Sequence, residues 1–278
     1  MNSDKAELTI ISDGNIKLDG GAMFGQVPKV LWEQKTLPDR RNRISLGLNC
    51  LLIRNGGHCT LVDTGVGSKE PDKIKDRYGL GSSQLAKELR NRGLTPKDIT
   101  GVILTHLHFD HAGGSTRLDR AGEAVPTFPA AKYYIQKADW EEAISPNERS
   151  KGSYHSDDFL PLEERGQLIL LEGDSEVAPG VHVRVTGGHS QGHQMVLVNY
   201  GGERVAFMGD LVPTPHHLRL PYVTSYDRFP EDTLEKKRAL LEEAERCGWL
   251  IVFCHGSKER AGYIERRNGA LSFRPVEL

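Results

Sequence analysis

Three histidines and one aspartate fall within six residues in the stretch Thr105-His106-Leu107-His108-Phe109-Asp110-His111-Ala112-Gly113-Gly114. A chain with 11 histidines among 278 residues would not concentrate them in this way by composition alone. In extended backbone the side chains of residues i and i+2 point the same way, so His106 and His108 can bind one metal ion together. Asp110 and His111 can then turn toward a second ion, and the two glycines let other backbone pass close to the site. The stretch therefore predicts a metal centre.

Three further donors lie where later strands are predicted to end. His189 follows the predicted strand 182–186 in a loop flanked by glycines, Asp210 follows the strand 204–207, and His255 follows the strand 250–253. Functional side chains are commonly carried by loops that leave a rigid scaffold. We therefore expect His189, Asp210 and His255 to complete the metal centre.

The rest of the chain alternates strand and helix signals. Residues 47–65 predict a hairpin with an Asn-Gly turn, and Ser82 is the expected cap of a helix that carries Leu85 and Leu89 and stops at Gly93. A helix is predicted from Pro230 to just before Gly248. Further buried or alternating strands are expected at 99–105, 133–135, 168–171, 182–185, 195–198, 204–207 and 250–253. Mixed sheets sandwiched between helices should result.

Composition restricts the class of protein. The net charge of −2 offers no basic surface for nucleic acid, and no run approaches the ~18 apolar residues of a membrane span. The segment Met1–Lys5 lacks the pattern of a secretory signal, so the cytoplasm is the expected location. The absence of a long linker predicts a single domain over residues 1–278. The four cysteines should be free thiols, and the Cys254 side chain is expected to point into the core, opposite to that of His255.

The motif His-x-His-x-Asp-His, followed by His189, Asp210 and His255, resembles that of the metallo-β-lactamase superfamily, as does the turn Val62-Asp63-Thr64-Gly65. This resemblance implies an α+β fold, the αβ/βα four-layer sandwich of two mixed β-sheets flanked by helices. It also implies roles for individual residues. The first metal would be bound by His106, His108 and His189, the second by Asp110, His111 and His255, and both by a bridging Asp210, with Asp63 orienting a ligand and His193 as a hydrogen-bonding support.

The implied cofactor is a pair of divalent metal ions, with Zn²⁺ expected and Fe, Mn or Co left open. Two such ions ~3.5–4 Å apart can share a water molecule and lower its pKa toward ~7. Hydrolysis by attack of a metal-bridging hydroxide is the natural reaction, and Asp110 can receive a proton as the intermediate collapses. Two alternatives come from other classes: a structural or sensing metal site, and a redox role with iron. A bridging Asp210 argues against a structural site, because it leaves a coordination position open for water, whereas structural zinc sites are closed by four protein ligands.

Among the branches of this family, the sequence is most similar to the N-acyl-homoserine lactonases that quench quorum sensing and their methyl parathion hydrolase relatives. The segments that carry this similarity are 18–25, 147–154 and 209–217, together with Tyr222 and Tyr226-Asp227. A glyoxalase II-like thioester hydrolase, a phosphotriesterase and other hydrolases of this fold remain alternatives. The lactonases place a tyrosine where this chain has Pro213. Tyr222, Tyr226 and His217 are therefore the candidates for the missing catalytic hydrogen-bond donor.

The expected substrate is a neutral, partly apolar ester or lactone. The segment Ala22-Met23-Phe24 and Phe109 are expected to supply apolar surface to its pocket. Nucleic acid and a membrane are not expected partners, because no segment concentrates the Lys and Arg contacts that a phosphate backbone requires. A homodimer is left open.

Overall fold

The computed structural model describes residues 7–267 and 270–278. The segment Met1–Lys5, from which the expectation about a secretory signal was drawn, lies outside the described residues. Within the described residues, no helix has both the length and the apolar composition that crossing a membrane requires.

The strands divide between two large sheets and one small hairpin. They are β1 (Glu7–Asp19), β2 (Arg43–Asn55), β3 (His58–Val62), β4 (Gly101–Ile103), β5 (Thr116–Leu118), β6 (Ala124–Pro126), β7 (Lys132–Gln136), β8 (Leu168–Leu171), β9 (Ser175–Ala178), β10 (Val181–Val185), β11 (Gln194–Tyr200), β12 (Glu203–Phe207), β13 (Leu250–Val252), β14 (Ala261–Arg267) and β15 (Ala270–Val276).

In the described part of the chain the helices are mostly short, and the last, with 18 residues, is the longest. They are α1 (Gly20–Phe24), α2 (Lys29–Trp32), α3 (Asp72–Tyr78), α4 (Leu85–Arg90), α5 (Phe109–Ala112), α6 (Lys137–Ile144), α7 (Leu160–Glu164) and α8 (Pro230–Cys247). Short 3₁₀ turns occur at Pro96–Asp98, Gly113–Ser115, Ser156–Asp158, Gly209–Leu211 and Pro215–Leu218.

Both large sheets are mixed. In the described part of the chain the first has the order β1-β2-β3-β4-β7-β8 and the second the order β15-β14-β13-β12-β11-β10-β9. Parallel pairing runs from β3 through β4 and β7 to the edge strand β8 in the first sheet, and it joins β12 to β13 in the second. The remaining strands of both sheets pair antiparallel.

Apolar side chains of the described residues form four clusters, and three of them lie between the layers of the fold. The two sheets face each other through residues such as Leu51, Ile103, Val196 and Phe207. On the outer face of the first sheet, α4, α6 and α7 pack in a second cluster, and α8 covers the second sheet through Leu241 and its neighbours. Helix, sheet, sheet and helix therefore form four layers, and the predicted αβ/βα sandwich is confirmed.

The predicted hairpin is confirmed, with β2 and β3 joined by a turn at Gly56-Gly57. The predicted cap of α4 is wrong. Ser82 does not cap this helix, because the carboxylate of Asp13 in β1 accepts hydrogen bonds from the backbone N–H groups of Gln84 and Leu85, both at 3.1 Å. An acceptor from a distant strand thus replaces the local one that the sequence offered.

Candidate metal centre

The His-rich stretch lies in the loop that leaves β4 and enters the short helix α5. Its metal-binding candidates His106, His108, Asp110 and His111 are all buried. The two glycines that follow are required by packing, because a Cβ atom on Gly113 would lie 2.3 Å from the carbonyl oxygen of Val66. The backbone after β3 therefore passes directly against the loop, as the sequence suggested.

The first group of donors contains His106, His108 and His189. Their donor atoms all lie within 4.8 Å of one another. The Nε2 atom of His189 is 3.1 Å from the Nδ1 atom of His108. The Nε2 atom of His106 is buried and has no hydrogen-bond partner. The fold thus brings together the three histidines that the motif assigns to one ion.

The second group contains His111, Asp210 and His255, together with Cys254. Asp110 adjoins it, with its Oδ2 atom 3.6 Å from the Nε2 atom of His255. The Nε2 atoms of both histidines are buried and make no hydrogen bond. The expectation for Cys254 is wrong in part: the residue packs against the core between the sheets, but its Sγ atom lies 3.2 Å from the Oδ1 atom of Asp210. The strand has already ended at Val252, so the alternation of side chains does not continue to Cys254.

Asp210 stands between the two groups and faces both. Its Oδ2 atom is 3.3 Å from the Nε2 atom of His189, in the first group. Its Oδ1 atom is 3.4 Å from the Nε2 atom of His111 and 3.2 Å from that of His255, in the second. Burial opposes ionisation, but the imidazoles of His111, His255 and His189 together hold the pKa of Asp210 well below its usual value. The carboxylate is therefore charged and is placed as a bridge would be.

The opposite ring nitrogen of each of four histidines contacts a support. The Nδ1 atom of His111 lies 2.8 Å from Asp63, that of His189 lies 3.0 Å from Asp227, that of His255 lies 2.8 Å from the carbonyl oxygen of Gly47, and that of His106 lies 3.1 Å from Thr105. Metal-binding histidines typically hold one nitrogen in this way and present the other to the ion.

The Nε2 atoms of His106, His111 and His255 are buried without a hydrogen bond, and those of His111 and His255 face the carboxylate of Asp210, so the cluster fits divalent cations. Isolated polar atoms of this kind destabilise a folded protein unless they find a partner. Imidazole nitrogens and carboxylate oxygens are the donors that Zn²⁺ and similar ions accept.

The histidines of the site differ in the direction in which their pKa values are shifted. Burial, followed by the neighbouring imidazoles, holds the pKa of His106 and of His108 well below its usual value. Burial would likewise lower the pKa of His111, but the carboxylates of Asp210, Asp63 and Asp110 raise it well above its usual value. In the first group, burial would lower the pKa of His189, but the carboxylates of Asp210 and Asp227 raise it. Carboxylate charge therefore acts on His189 in the first group as well as on His111 in the second.

His193 is placed as a support. Its Nε2 atom accepts a hydrogen bond of 3.0 Å from the backbone N–H of Asp210, and its Nδ1 atom contacts the hydroxyl of Thr186. Both ring nitrogens are therefore occupied, and the ring fixes the loop that carries Asp210.

The three candidate donors lie in different environments. Both nitrogens of His217 are engaged, at 2.7 Å from the Thr214 hydroxyl and 2.8 Å from the carbonyl oxygen of Met23. Tyr222 is buried, with its ring edge-on to Phe24 at 5.7 Å between centroids. Tyr226 is 36% exposed. Burial and then the nearby carboxylate of Asp110 raise its pKa above the usual value, so its hydroxyl stays protonated.

Asp139, in α6, is a support that the sequence analysis missed. Its Oδ2 atom accepts a 2.7 Å hydrogen bond from the backbone N–H of Leu107, and its Oδ1 atom accepts one from the hydroxyl of Ser190. One fully buried carboxyl thus ties the His106–His111 loop to the loop of His189. The only signal in the sequence is an acidic residue beside the buried Trp140.

A cavity of about 550 Å³ borders His255, and its apolar wall includes Phe24, Ile44 and Leu46. The expectation that Met23, Phe24 and Phe109 offer free apolar surface needs correction. Met23 is 2% and Phe24 0% exposed, and the ring of Phe24 stacks on Trp32 at 5.4 Å. Phe109 is likewise buried against Tyr78. These side chains are mainly core, because α1 and α2 fold back over β2.

Comparisons with known proteins match the part of the chain that contains these donor residues. The sequence profile of the metallo-β-lactamase superfamily matches residues 46–255. An N-acyl homoserine lactonase of Bacillus cereus is 29% identical over 168 residues, which cover 56% of this chain and 60% of the relative. The chain thus matches about 60% of the length of this curated relative.

Two solved structures extend the comparison to the whole chain. A probable metal-dependent hydrolase from Staphylococcus aureus superposes with a TM-score of 0.90 at 33% identity, covering 100% of this chain and 99% of that one. AidC, a dizinc quorum-quenching lactonase, superposes with a TM-score of 0.79 at 20% identity, covering 100% and 97%, a likeness that concerns the fold alone. The chain belongs to the metallo-β-lactamase superfamily, a family of metal-dependent hydrolases.

Proposed function

We propose that this protein is a dinuclear metal-dependent hydrolase that opens the ring of a lactone, of the N-acyl-homoserine lactone type. The observation that carries the proposal is Asp210, which directs one carboxylate oxygen to each of two buried donor groups. A single tetrahedral ion uses four ligands, fewer than the seven donors His106, His108, Asp110, His111, His189, Asp210 and His255.

Two Zn²⁺ ions are the proposed cofactors, with Fe, Mn and Co as alternatives for the loading experiment. His106, His108 and His189 would hold the first ion, Asp110, His111 and His255 the second, and Asp210 both. When bound, such a pair supplies an activated water and polarises the substrate carbonyl.

Asp110 is the proposed proton carrier. In lactone hydrolysis, water adds to the carbonyl carbon, the ring C–O bond breaks, and the departing ring oxygen needs a proton. The Oδ2 atom of Asp110 lies 3.6 Å from the Nε2 atom of His255, at the edge of the second donor group. This carboxylate can take a proton from the attacking water and return it to the alkoxide, which leaves a hydroxy acid.

The proposed hydrogen-bond donor to the substrate is Tyr226. It would take the role of the lactonase tyrosine, whose position is occupied by Pro213 in this chain. Tyr226 is partly exposed, and burial followed by the charge of Asp110 raises the pKa of its hydroxyl, which stays protonated. The guanidinium of Arg149 donates to the carbonyl oxygens of Ser225 at 2.7 Å and Asp227 at 2.9 Å, the two residues that flank the tyrosine. Arg149 is thus a positioning residue for Tyr226, and a preorganised donor is what stabilises a developing oxyanion.

The substrate class rests on two supports. The curated relative in Bacillus cereus is named an N-acyl homoserine lactonase. The cavity beside His255 is lined by the exposed side chain of Leu37 and by Lys35 and Lys258, which suits an acyl chain that ends near a polar head.

The test is a substrate screen with purified protein reconstituted with zinc. Acyl-homoserine lactones of increasing chain length, an acyl thioester and a phosphotriester are compared at equal concentration, with Asp210→Asn as the control for contaminating hydrolases. We expect kcat/KM to be highest for lactones and to rise with chain length before it levels off. A higher kcat/KM for the thioester or the phosphotriester would overturn the lactone assignment and select that alternative.

A cytoplasmic location and a homodimer are further proposals. Fractionation of the native host and light scattering of the purified chain test them separately from the activity.

A further inference from the structure

A thiol lies among the donors of the second group. Cys254 is 1% exposed, and its Sγ atom lies 3.2 Å from the Oδ1 atom of Asp210 and 3.9 Å from the carbonyl oxygen of Pro213. Its sulfur belongs to the cluster with His111, Asp210 and His255 in which all donor atoms are within 4.8 Å of one another. No role for this sulfur follows from the His and Asp motif.

These donors lie about as close to one another as the ligands of one ion, or slightly closer. Donors bound tetrahedrally at ~2.0–2.3 Å from a zinc ion lie roughly 3.3–3.8 Å from one another. Around the Oδ1 atom of Asp210, the Sγ atom of Cys254 is at 3.2 Å, the Nε2 atom of His255 at 3.2 Å and the Nε2 atom of His111 at 3.4 Å. The sulfur is thus as close to the shared oxygen as the two expected ligands are.

The two nitrogens give an independent indication that an ion belongs here. The Nε2 atoms of His111 and His255 are buried without a hydrogen bond. The Nδ1 atom of each ring is held by Asp63 or by the carbonyl oxygen of Gly47, so neither ring can turn to find another partner without losing that contact.

We propose that Cys254 is a sulfur ligand of the second metal ion, beside His111, Asp210 and His255. The inference rests on the dinuclear site of the proposed function and deepens it. On binding, the thiol proton passes to solvent and the sulfur donates an electron pair to the ion. A thiolate favours Zn²⁺ and Co²⁺ over Mn²⁺ and Mg²⁺, which prefer oxygen donors. The second position should therefore discriminate among metals more strongly than the first, whose ligands are three histidines and the shared Asp210.

The competing role for the sulfur is a thiol that only donates a hydrogen bond to Asp210. The two roles differ in the electronic spectrum. A thiolate bound to Co²⁺ gives an intense near-ultraviolet charge-transfer band, whereas a thiol at hydrogen-bond distance gives none.

The experiment uses the full chain loaded with two Co²⁺ ions, with loading checked by elemental analysis. We expect the charge-transfer band in the wild type and in Cys50→Ser. Cys50 is a matched control because its sulfur is also buried but lies in a different core cluster from that of Cys254. Cys254→Ser should lose the band, and its second Zn²⁺ should bind at least about 100-fold more weakly, while binding of the first ion stays unchanged.

A second measurement needs no variant. The ¹¹³Cd NMR spectrum of the wild type loaded with cadmium should show one resonance shifted downfield by a sulfur donor and one in the range of nitrogen and oxygen donors. Two Co²⁺ ions without the band, or two cadmium resonances without a sulfur shift, would overturn the sulfur ligand and leave the proposed hydrolase intact. Failure to bind a second ion would overturn both proposals.

Discussion

The carboxylate of Asp227 lies 3.0 Å from the Nδ1 atom of His189 and turns the Nε2 atom of that ring toward His108 and Asp210. The other oxygen of Asp227 accepts the backbone N–H of Thr224 at 2.8 Å, so one side chain fixes both a metal-binding candidate and the loop before Tyr226. Sequence spacing alone gave no sign of this link between residues 189 and 227.

Asp227→Asn should weaken the first metal position. The amide loses the negative charge and keeps only one of the two oxygens that contact His189 and Thr224, and such supports typically change metal affinity by about 10–100-fold. Chelator competition with zinc measures the affinity of each position. Asp232→Asn, an exposed carboxylate in α8, is the matched control. Wild-type affinity in Asp227→Asn would show that His189 needs no orientation.

Tyr226→Phe should lower kcat for lactone hydrolysis by about 10²-fold and leave the metal content unchanged, because one donor to the developing charge is removed. Tyr222→Phe is the control, since that ring is buried against Phe24. Steady-state kinetics separate kcat from KM. Equal losses in both variants, or a loss only in Tyr222→Phe, would place the donor elsewhere. Arg149→Ala should reproduce part of the Tyr226→Phe effect.

Gly25→Ala should destabilise the protein by more than about 2 kcal/mol. Gly25 has a φ of 57°, and a Cβ atom there would lie 2.2 Å from the carbonyl oxygen of Val223. The control Gly56→Ala has a similar φ of 53° but no atom within 4 Å, so it should show only the backbone strain of about 1–2 kcal/mol. Denaturant unfolding measures both. Equal destabilisation would mean that the loop at Val223 moves aside freely.

Lys237 lies outside the metal centre and should make the free energy of unfolding depend on pH. Its ammonium is fully buried and donates to the carbonyl oxygens of Arg219 and Tyr222, at 3.1 Å and 2.7 Å. Burial, opposed by Asp227, lowers its pKa to about 8. Between about pH 8 and the normal lysine pKa of about 10.4, the unfolded chain binds more protons than the folded one. Lys237 therefore makes stability rise with pH in that window.

Lys237→Met removes this effect, so the stability advantage of the wild type should grow between pH 8 and pH 10, by up to about 3 kcal/mol. Lys236→Met, an exposed neighbour, should show no such trend. Unfolding curves across this pH range give the result, and a constant difference would mean that Lys237 keeps an ordinary pKa.

The sequence predicted the family, and it pointed to the His and Asp side chains that the structure brings together in two groups, because these signals are local, in His106–His111 and in the residues that end three strands. It missed β1, where the pairing register with β2 shifts between Ser12 and Asn15 and so interrupts the alternation that identifies a strand. It also missed Asp139 and the supporting contact of Asp227, since each joins residues far apart in the chain. Strand alternation was used to predict the direction of the Cys254 side chain. That prediction fails in part because β13 ends before Cys254.

The number of metal ions per chain tests the dinuclear centre most directly. Purified apoprotein is reconstituted with zinc, freed of excess ion and measured by elemental analysis, with Asp210→Asn in parallel. We expect about two ions per wild-type chain, from the two donor groups that Asp210 joins, and fewer in the variant together with loss of activity. At most one ion per active wild-type chain, or two ions and near-normal turnover in Asp210→Asn, would contradict the bridged two-metal site.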